Sequence, residues 1–175
     1  MISLFNAYAA SKFAGETMAL EAPNAVVVRT NICGAKKGVG KWVLDSLLEQ
    51  APMALFSDYY TSTLHVDDCA DCLVSLLRSK RTGLLNIASS DVSSNAEFVL
   101  AVAEKLGIDA DWITRRSVAD LTPRRARSCG LDVSLAEKTL GRKMPTLSET
   151  VDRLVAEDAR CATLTNSPSV TALSA

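Results

Sequence analysis

Tyr8 and Lys12 stand four residues apart in residues 6–16, NAYAASKFAGE. On a helix that spacing puts both side chains on one face, about one turn apart. A free phenol is a poor acid or base at neutral pH, and an ammonium beside it favours the phenolate. Such a pair can pass a proton to or from a carbonyl or alcohol oxygen. The lysine can also hydrogen-bond a ribose hydroxyl. Taken alone the spacing is common, and a solvated lysine on an ordinary helix fits it as well.

Other residues offer chemistry of their own. Arg124, Arg125 and Arg127 cluster in one stretch. Guanidinium forks match the oxygens of a diphosphate, although a solvated basic loop reads the same way. Cys69 and Cys72 form a CxxC, but a zinc or redox site needs a second ligand pair or a strand-to-helix turn before the motif. No second pair is present, so no metal site is expected. With Leu73, Leu76 and Leu77 the two cysteines follow helical spacing, which predicts a buried stripe. His65 is the one histidine and is expected to be structural. Residues 34–41, GAKKGVGK, are off by one residue from the GxxxxGK spacing of a phosphate loop and are followed by Trp42,. That stretch reads as a flexible loop with Lys36 and Lys37 in water. Asp58, Tyr59 and Tyr60 lie in a polar, aromatic loop within reach of a sugar, or on an ordinary surface.

These residues need a frame. A first helix is predicted over 6–21, closed by Pro23. Residues 25–29, AVVVR, read as a strand buried on both faces. An amphipathic helix is expected over 41–50, with Val43, Leu44, Leu47 and Leu48 on one face. Short strands are expected at 54–56 and 63–66. Asp67 or Asp68 then caps the helix that carries the cysteines. A strand is expected at 84–88. Ser94 and Glu97 form a capping box for the helix that Gly107 ends. A strand at 111–115, a basic loop over 116–128 and a short helix capped by Asp132 follow. A last helix opens on a second capping box, Thr146 and Glu149. Strands alternating with helices indicate an α/β class.

The 175 residues are 48% apolar, enough for one medium domain with a real core and too many for a disordered chain,. Lysine plus arginine is 19 and aspartate plus glutamate 20. That balance gives no bulk attraction to nucleic acid or to a membrane surface. No run is long enough to span a bilayer, and the first residues do not read as a signal peptide. The five cysteines suit reduced thiols, so a cytoplasmic setting is expected,.

Several segments in order resemble the extended short-chain dehydrogenase/reductases. Tyr8-Ala-Ala-Ser11-Lys12-Phe-Ala-Gly15-Glu16 is similar to their YxxSKxxGE. Val28-Arg29-Thr30-Asn31-Ile32-Cys33-Gly34 looks like their VIRTSxxYG, and Leu64-His65-Val66-Asp67-Asp68-Cys69-Ala70 like HVxDxA. Gly83-Leu-Leu-Asn86 follows. Pro123-Arg124-Arg125 and Leu131-Asp132-Val133-Ser134 resemble the RP…SLDxSK of the dTDP-4-dehydrorhamnose reductase (RmlD-like) branch. Ala126 stands in place of a proline there.

The resemblance implies NAD(P)H-dependent reduction of a 4-keto sugar nucleotide. Tyr8 would give the proton and Lys12 would support it and hold the nicotinamide ribose. Thr30 and Asn31 would border the cofactor, with Asn31 and Arg125 on the substrate. It also implies the C-terminal part of a Rossmann-type NAD(P)-binding fold plus a small α/β substrate-binding domain. The division expected is 1–34 as a Rossmann remnant, 35–160 as the substrate-binding region with some returning Rossmann elements, and 161–175 as a frayed tail. These residues contain no GxxGxxG turn. The N-terminal glycine-rich half is therefore expected to be absent, and a complementary half or a second copy of the chain becomes an expected partner. A non-catalytic sugar-nucleotide-binding or regulatory module, or a truncated gene product, is the alternative.

Overall fold

The computed structural model describes residues 6–123 and 125–161. Helix α1 (Ala7–Leu20) starts where the Asn6 side chain accepts the Ala9 N–H at 2.9 Å,. None of its residues is buried. Strands β1 (Val26–Arg29) and β2 (Ile32–Cys33) follow, then α2 (Gly38–Leu48), β3 (Ala54–Phe56), β4 (Tyr60–Thr61) and β5 (Leu64–His65). Next come α3 (Val66–Ser79), β6 (Gly83–Asn86), β7 (Ser93–Ser94) and α4 (Asn95–Leu106). The chain continues through β8 (Thr114–Arg116), β9 (Ser128–Cys129), α5 (Ser134–Leu140) and α6 (Leu147–Glu157).

The longest pairing is parallel, β1 on β6, with Val26 opposite Gly83 and Arg29 opposite Asn86. Two more parallel pairs, β2 with β5 and β3 with β8, extend the pattern. Parallel neighbours need crossovers, and helices supply them, so the chain is α/β as its alternation predicted. A small mixed sheet places β4 between β7 and β9. Among the described residues β1 has β6 as its one partner, which leaves its other edge open.

Two cores hold these layers. The larger joins α2, α4, α6 and β3 through Leu44, Leu47, Leu55, Val99, Val102 and Leu154. The smaller joins α3, α5 and β6 through Cys72, Leu76, Leu85, Ile87 and Ala136. Leu154 has no exposed surface. Leu154→Ala should therefore lower the unfolding free energy by about 2–5 kcal/mol, the usual range for emptying such a site. Urea denaturation checks this.

Both capping boxes form, with each side chain bonded to the other residue's backbone N–H. Several expectations need correction. Cys69, Cys72 and Leu76 are buried, but Leu73 and Leu77 are 40% and 76% exposed. The buried line of α3 runs through Asp68, Cys69, Cys72 and Leu76. Leu73 and Leu77 lie about 100° further round, on the solvent side. Helix α3 is capped by His65, not by an aspartate: its Nδ1 accepts the Asp67 N–H at 3.3 Å. Asp67 and Asp68 sit instead in the first turn, where the helix dipole favours them,. Asp132 likewise bonds the Ser134 N–H from just outside α5.

Helix α2 begins at Gly38 rather than at Lys41. Glycine disfavours helix, but seating overrides propensity here. A Cβ on Gly40 would stand 2.5 Å from the Gly34 carbonyl oxygen and 2.9 Å from Leu154 Cδ1. Only glycine lets α2 approach that closely. Lys36, expected in water, reaches Glu157 Oε1 at 3.5 Å while staying largely exposed. Cys161, expected in the tail, is buried in the larger core. The rest of the expected tail, and Arg124, lie outside the described residues. Among the described residues no helix is long and apolar enough to cross a membrane, and no group of His, Cys, Asp and Glu could hold a metal.

Candidate functional site

Tyr8 sits in the first turn of α1 and is 71% exposed. Lys12 Nζ stands over its ring, 6.0 Å from the centroid. The helical spacing therefore does bring phenol and ammonium to one face. What fixes that helix to the sheet is a fork that sequence reading missed. Arg29, at the end of β1, donates from Nε to Glu16 Oε2 at 2.7 Å and from Nη2 to Oε1 at 2.6 Å. Bidentate pairs of this kind are among the stronger polar contacts. The Arg29 hydrogen bonds hold the Glu16 carboxyl below its ordinary range, and Glu16 raises Arg29 in turn. The signal was present: an arginine closing an apolar strand needs a partner.

Tyr8 opens onto a cleft of about 1030 Å³. Arg29, Tyr59, Pro123, Arg125 and Cys129 line it with Tyr8. The first turn of α1 thus faces the segment between β8 and β9. Tyr59 donates from its hydroxyl toward Cys129 Sγ at 3.9 Å. Burial is the main cause that pushes the Tyr59 phenol up, with the Cys129 thiol adding to it and Arg125 opposing. Tyr59 therefore enters the cleft as a neutral hydroxyl. The Arg125 guanidinium, the Glu16-paired guanidinium of Arg29 and two phenols around one opening suit an anionic ligand that carries hydroxyl or carbonyl oxygens,.

Asp58 is outside the cleft lining. Its Oδ2 accepts from Ser117 Oγ at 2.6 Å and from Arg127 Nη2 at 3.2 Å, and its Oδ1 accepts the Val118 N–H at 2.7 Å. These bonds, led by that from Ser117, lower its pKa to about 2.

Thr30 and Asn31 are outside the cleft lining. Thr30 Oγ1 is 3.9 Å from Cys69 Sγ. Asn31 donates from Nδ2 to Thr63 Oγ1 at 2.9 Å and accepts the Leu64 N–H at its carbonyl, tying β2 to β5. His65 is likewise outside the cleft lining. With Nδ1 accepting from Asp67, its Nε2 carries the hydrogen and donates to Glu157 Oε2 at 3.1 Å,.

Glu157 also accepts the Ala35 N–H at 2.8 Å. That bond first, then His65 and Lys36, hold its carboxyl below the ordinary range, with burial opposing. A depressed folded pKa means stability that is complete above the unfolded value, about 4.3, and is lost as pH falls through the folded one. Thermal unfolding midpoints should therefore drop below about pH 4.3 less steeply in Glu157→Gln than in the unaltered chain.

The residues present fit a nicotinamide cofactor in part. Tyr8 and Lys12 offer a hydroxyl and an ammonium on an open helix face. No glycine-rich turn of the GxxGxxG kind accompanies them to take a pyrophosphate,.

Comparison with known proteins agrees with the fold. A "Probable low-salt glycan biosynthesis reductase Agl14" from Haloferax volcanii is 30% identical in an alignment 160 residues long that covers 85% of this chain and 53% of that protein. The crystal structure of dTDP-4-dehydrorhamnose reductase from Bacillus anthracis, in complex with NADP, superposes with a TM-score of 0.77 at 21% identity. The match covers 89% of this chain and 57% of that one. A hypothetical dTDP-4-dehydrorhamnose reductase from Sulfolobus tokodaii gives 0.75 at 26% identity, covering 87% and 54%. The chain thus spans a little over half the length of these relatives. The family model described as the RmlD substrate binding domain matches residues 3–160. With nine-tenths of its length accounted for by that one match, the chain belongs to the RmlD substrate-binding domain family.

Proposed function

We propose that this chain supplies the substrate side and the proton-transfer residues of an NAD(P)H-dependent reductase acting on a 4-keto sugar nucleotide, as in dTDP-rhamnose biosynthesis. The observation that carries this reading is one cleft lined by both Tyr8 and Arg125, with Lys12 over the Tyr8 ring. Arg125 pairs with the diphosphate, which puts the sugar toward Tyr8. Tyr8 donates its proton to the oxygen of the carbonyl being reduced. Lys12 keeps a positive charge beside the phenolate left behind. When bound, the nicotinamide supplies the hydride. Lys12 would hold its ribose, and Thr30 and Asn31 would stand on the cofactor side, outside the cleft that takes the sugar. A complementary nucleotide-binding half, in the same polypeptide or from another chain, covers the exposed face of α1 and the open edge of β1. The thiols of Cys33, Cys69, Cys72 and Cys129 support a cytoplasmic setting,.

Calorimetry on the 175-residue chain tests this division. dTDP is expected to bind. NADPH is not expected to bind more tightly than about 10 μM, since the backbone donors for its pyrophosphate are missing. No heat with dTDP overturns the substrate assignment, and tight NADPH binding overturns the division. A non-catalytic sugar-nucleotide-binding or regulatory module is the second reading, favoured by the lack of a GxxGxxG turn in these residues. Turnover after addition of a complementary half separates the two.

A further inference from the structure

The backbone between β8 and β9 leaves the sheets and returns, and it is clasped where it does so. On the way out, Ser57 donates its N–H to the Arg116 carbonyl at 3.3 Å, continuing the β3–β8 ladder. On the way back, Tyr60 donates to the Arg127 carbonyl at 2.8 Å, opening the β4–β9 ladder. Asp58 lies between those two points. One carboxylate therefore bonds the first two residues of the excursion, Ser117 and Val118, and its last, Arg127. Tyr59, next in the chain, lines the same cleft as Pro123 and Arg125.

We propose that Asp58 is a positioning residue: by clasping both ends of the segment between β8 and β9, it sets where Arg125 stands in the cleft opposite Tyr8. This deepens the sugar-nucleotide reading and rests on it for the ligand. The clasp has no need to touch substrate. Its strength lies in the charge-assisted bonds to Ser117 and Val118, because the Arg127 side chain is 72% exposed and its pairing is weakened by water,. Buried Val118 seats the outgoing end but reaches only that end.

The test uses the 175-residue chain and two readouts. In Asp58→Asn, amide hydrogen exchange without ligand should quicken about tenfold in peptides from 117–127, and stay unchanged in α4. dTDP affinity should fall by no more than in Arg125→Ala, and the two losses should not add. Ser117→Ala removes one arm of the clasp together with the bond its hydroxyl accepts from the Ala119 N–H, and Arg127→Ala removes the other arm without that cap; each should raise exchange in the same direction by less, which covers the case of Asp58→Asn failing to fold. Unchanged exchange overturns the clasp. Additive losses overturn its action through Arg125. Quickened exchange in a protein whose unaltered form binds no dTDP supports the clasp and overturns the sugar-nucleotide reading instead.

Discussion

Tyr8→Phe should lower turnover by about 10²–10⁴-fold once a complementary nucleotide-binding half is supplied, with little change in substrate KM. The substitution keeps the ring on which Lys12 stands and removes only the hydroxyl. Tyr8 is largely exposed and outside both cores, so the variant should fold as the unaltered chain does. A loss confined to kcat would mark an interaction made in the transition state. Arg125 serves as the contrast, since its guanidinium is assigned to binding. The assay is reduction of a dTDP-4-keto-6-deoxy sugar with NADPH. Full turnover by Tyr8→Phe would remove the proton-donor assignment and leave the regulatory reading in first place.

Glu16→Gln should have the second largest effect, at a distance from the chemistry. The fork to Arg29 is the ion pair that joins α1 to β1 among the described residues. An amide keeps the shape of the carboxylate but can accept only one of the two N–H bonds and carries no charge. With no buried side chain to hold it, α1 would tilt or shift, and Tyr8 with it. A displacement of about 1 Å can cost about 10²-fold in rate. The expected pattern is a kcat loss of that order with a nearly unchanged unfolding midpoint. If instead the midpoint collapsed and the remaining folded protein turned over normally, the fork would belong to the core and not to the site.

Much of this architecture was legible where the signal is local. The Ser94–Glu97 and Thr146–Glu149 boxes each lie within one helical turn, and both helices start where those residues say. The run Val26–Arg29 is a strand because three β-branched residues in succession pack well in little else,. Strands β4, β7 and β9 were missed because two residues show no period, and their existence depends on partners far along the chain. The Leu73–Leu77 error has the same root: periodicity shows that a helix has an apolar side, while tertiary packing decides how wide the covered stripe is. At the candidate site, the meeting of Tyr8 and Lys12 on one helix face was legible from spacing, while Arg125 was singled out from its arginine cluster only through the family resemblance. The Asp58 clasp was not legible, since it joins segments whose meeting no local pattern encodes, and for the fork Arg29 signalled that a partner was needed but not that it would be Glu16.

The absence of any buried residue in α1 separates two properties that usually travel together. In most enzymes a damaged catalytic element also weakens the fold, and quality control removes the product. Here exposed substitutions along Ala7–Leu20 change the free energy of the isolated chain by only tenths of a kcal/mol, as is usual at surfaces,. Thermal-shift or protease selection applied to these 175 residues is therefore blind to the helix that carries Tyr8. A library ranked that way would keep variants with intact cores and drift at the exposed positions of α1, so the proposed chemistry would disappear before any loss of fold registered.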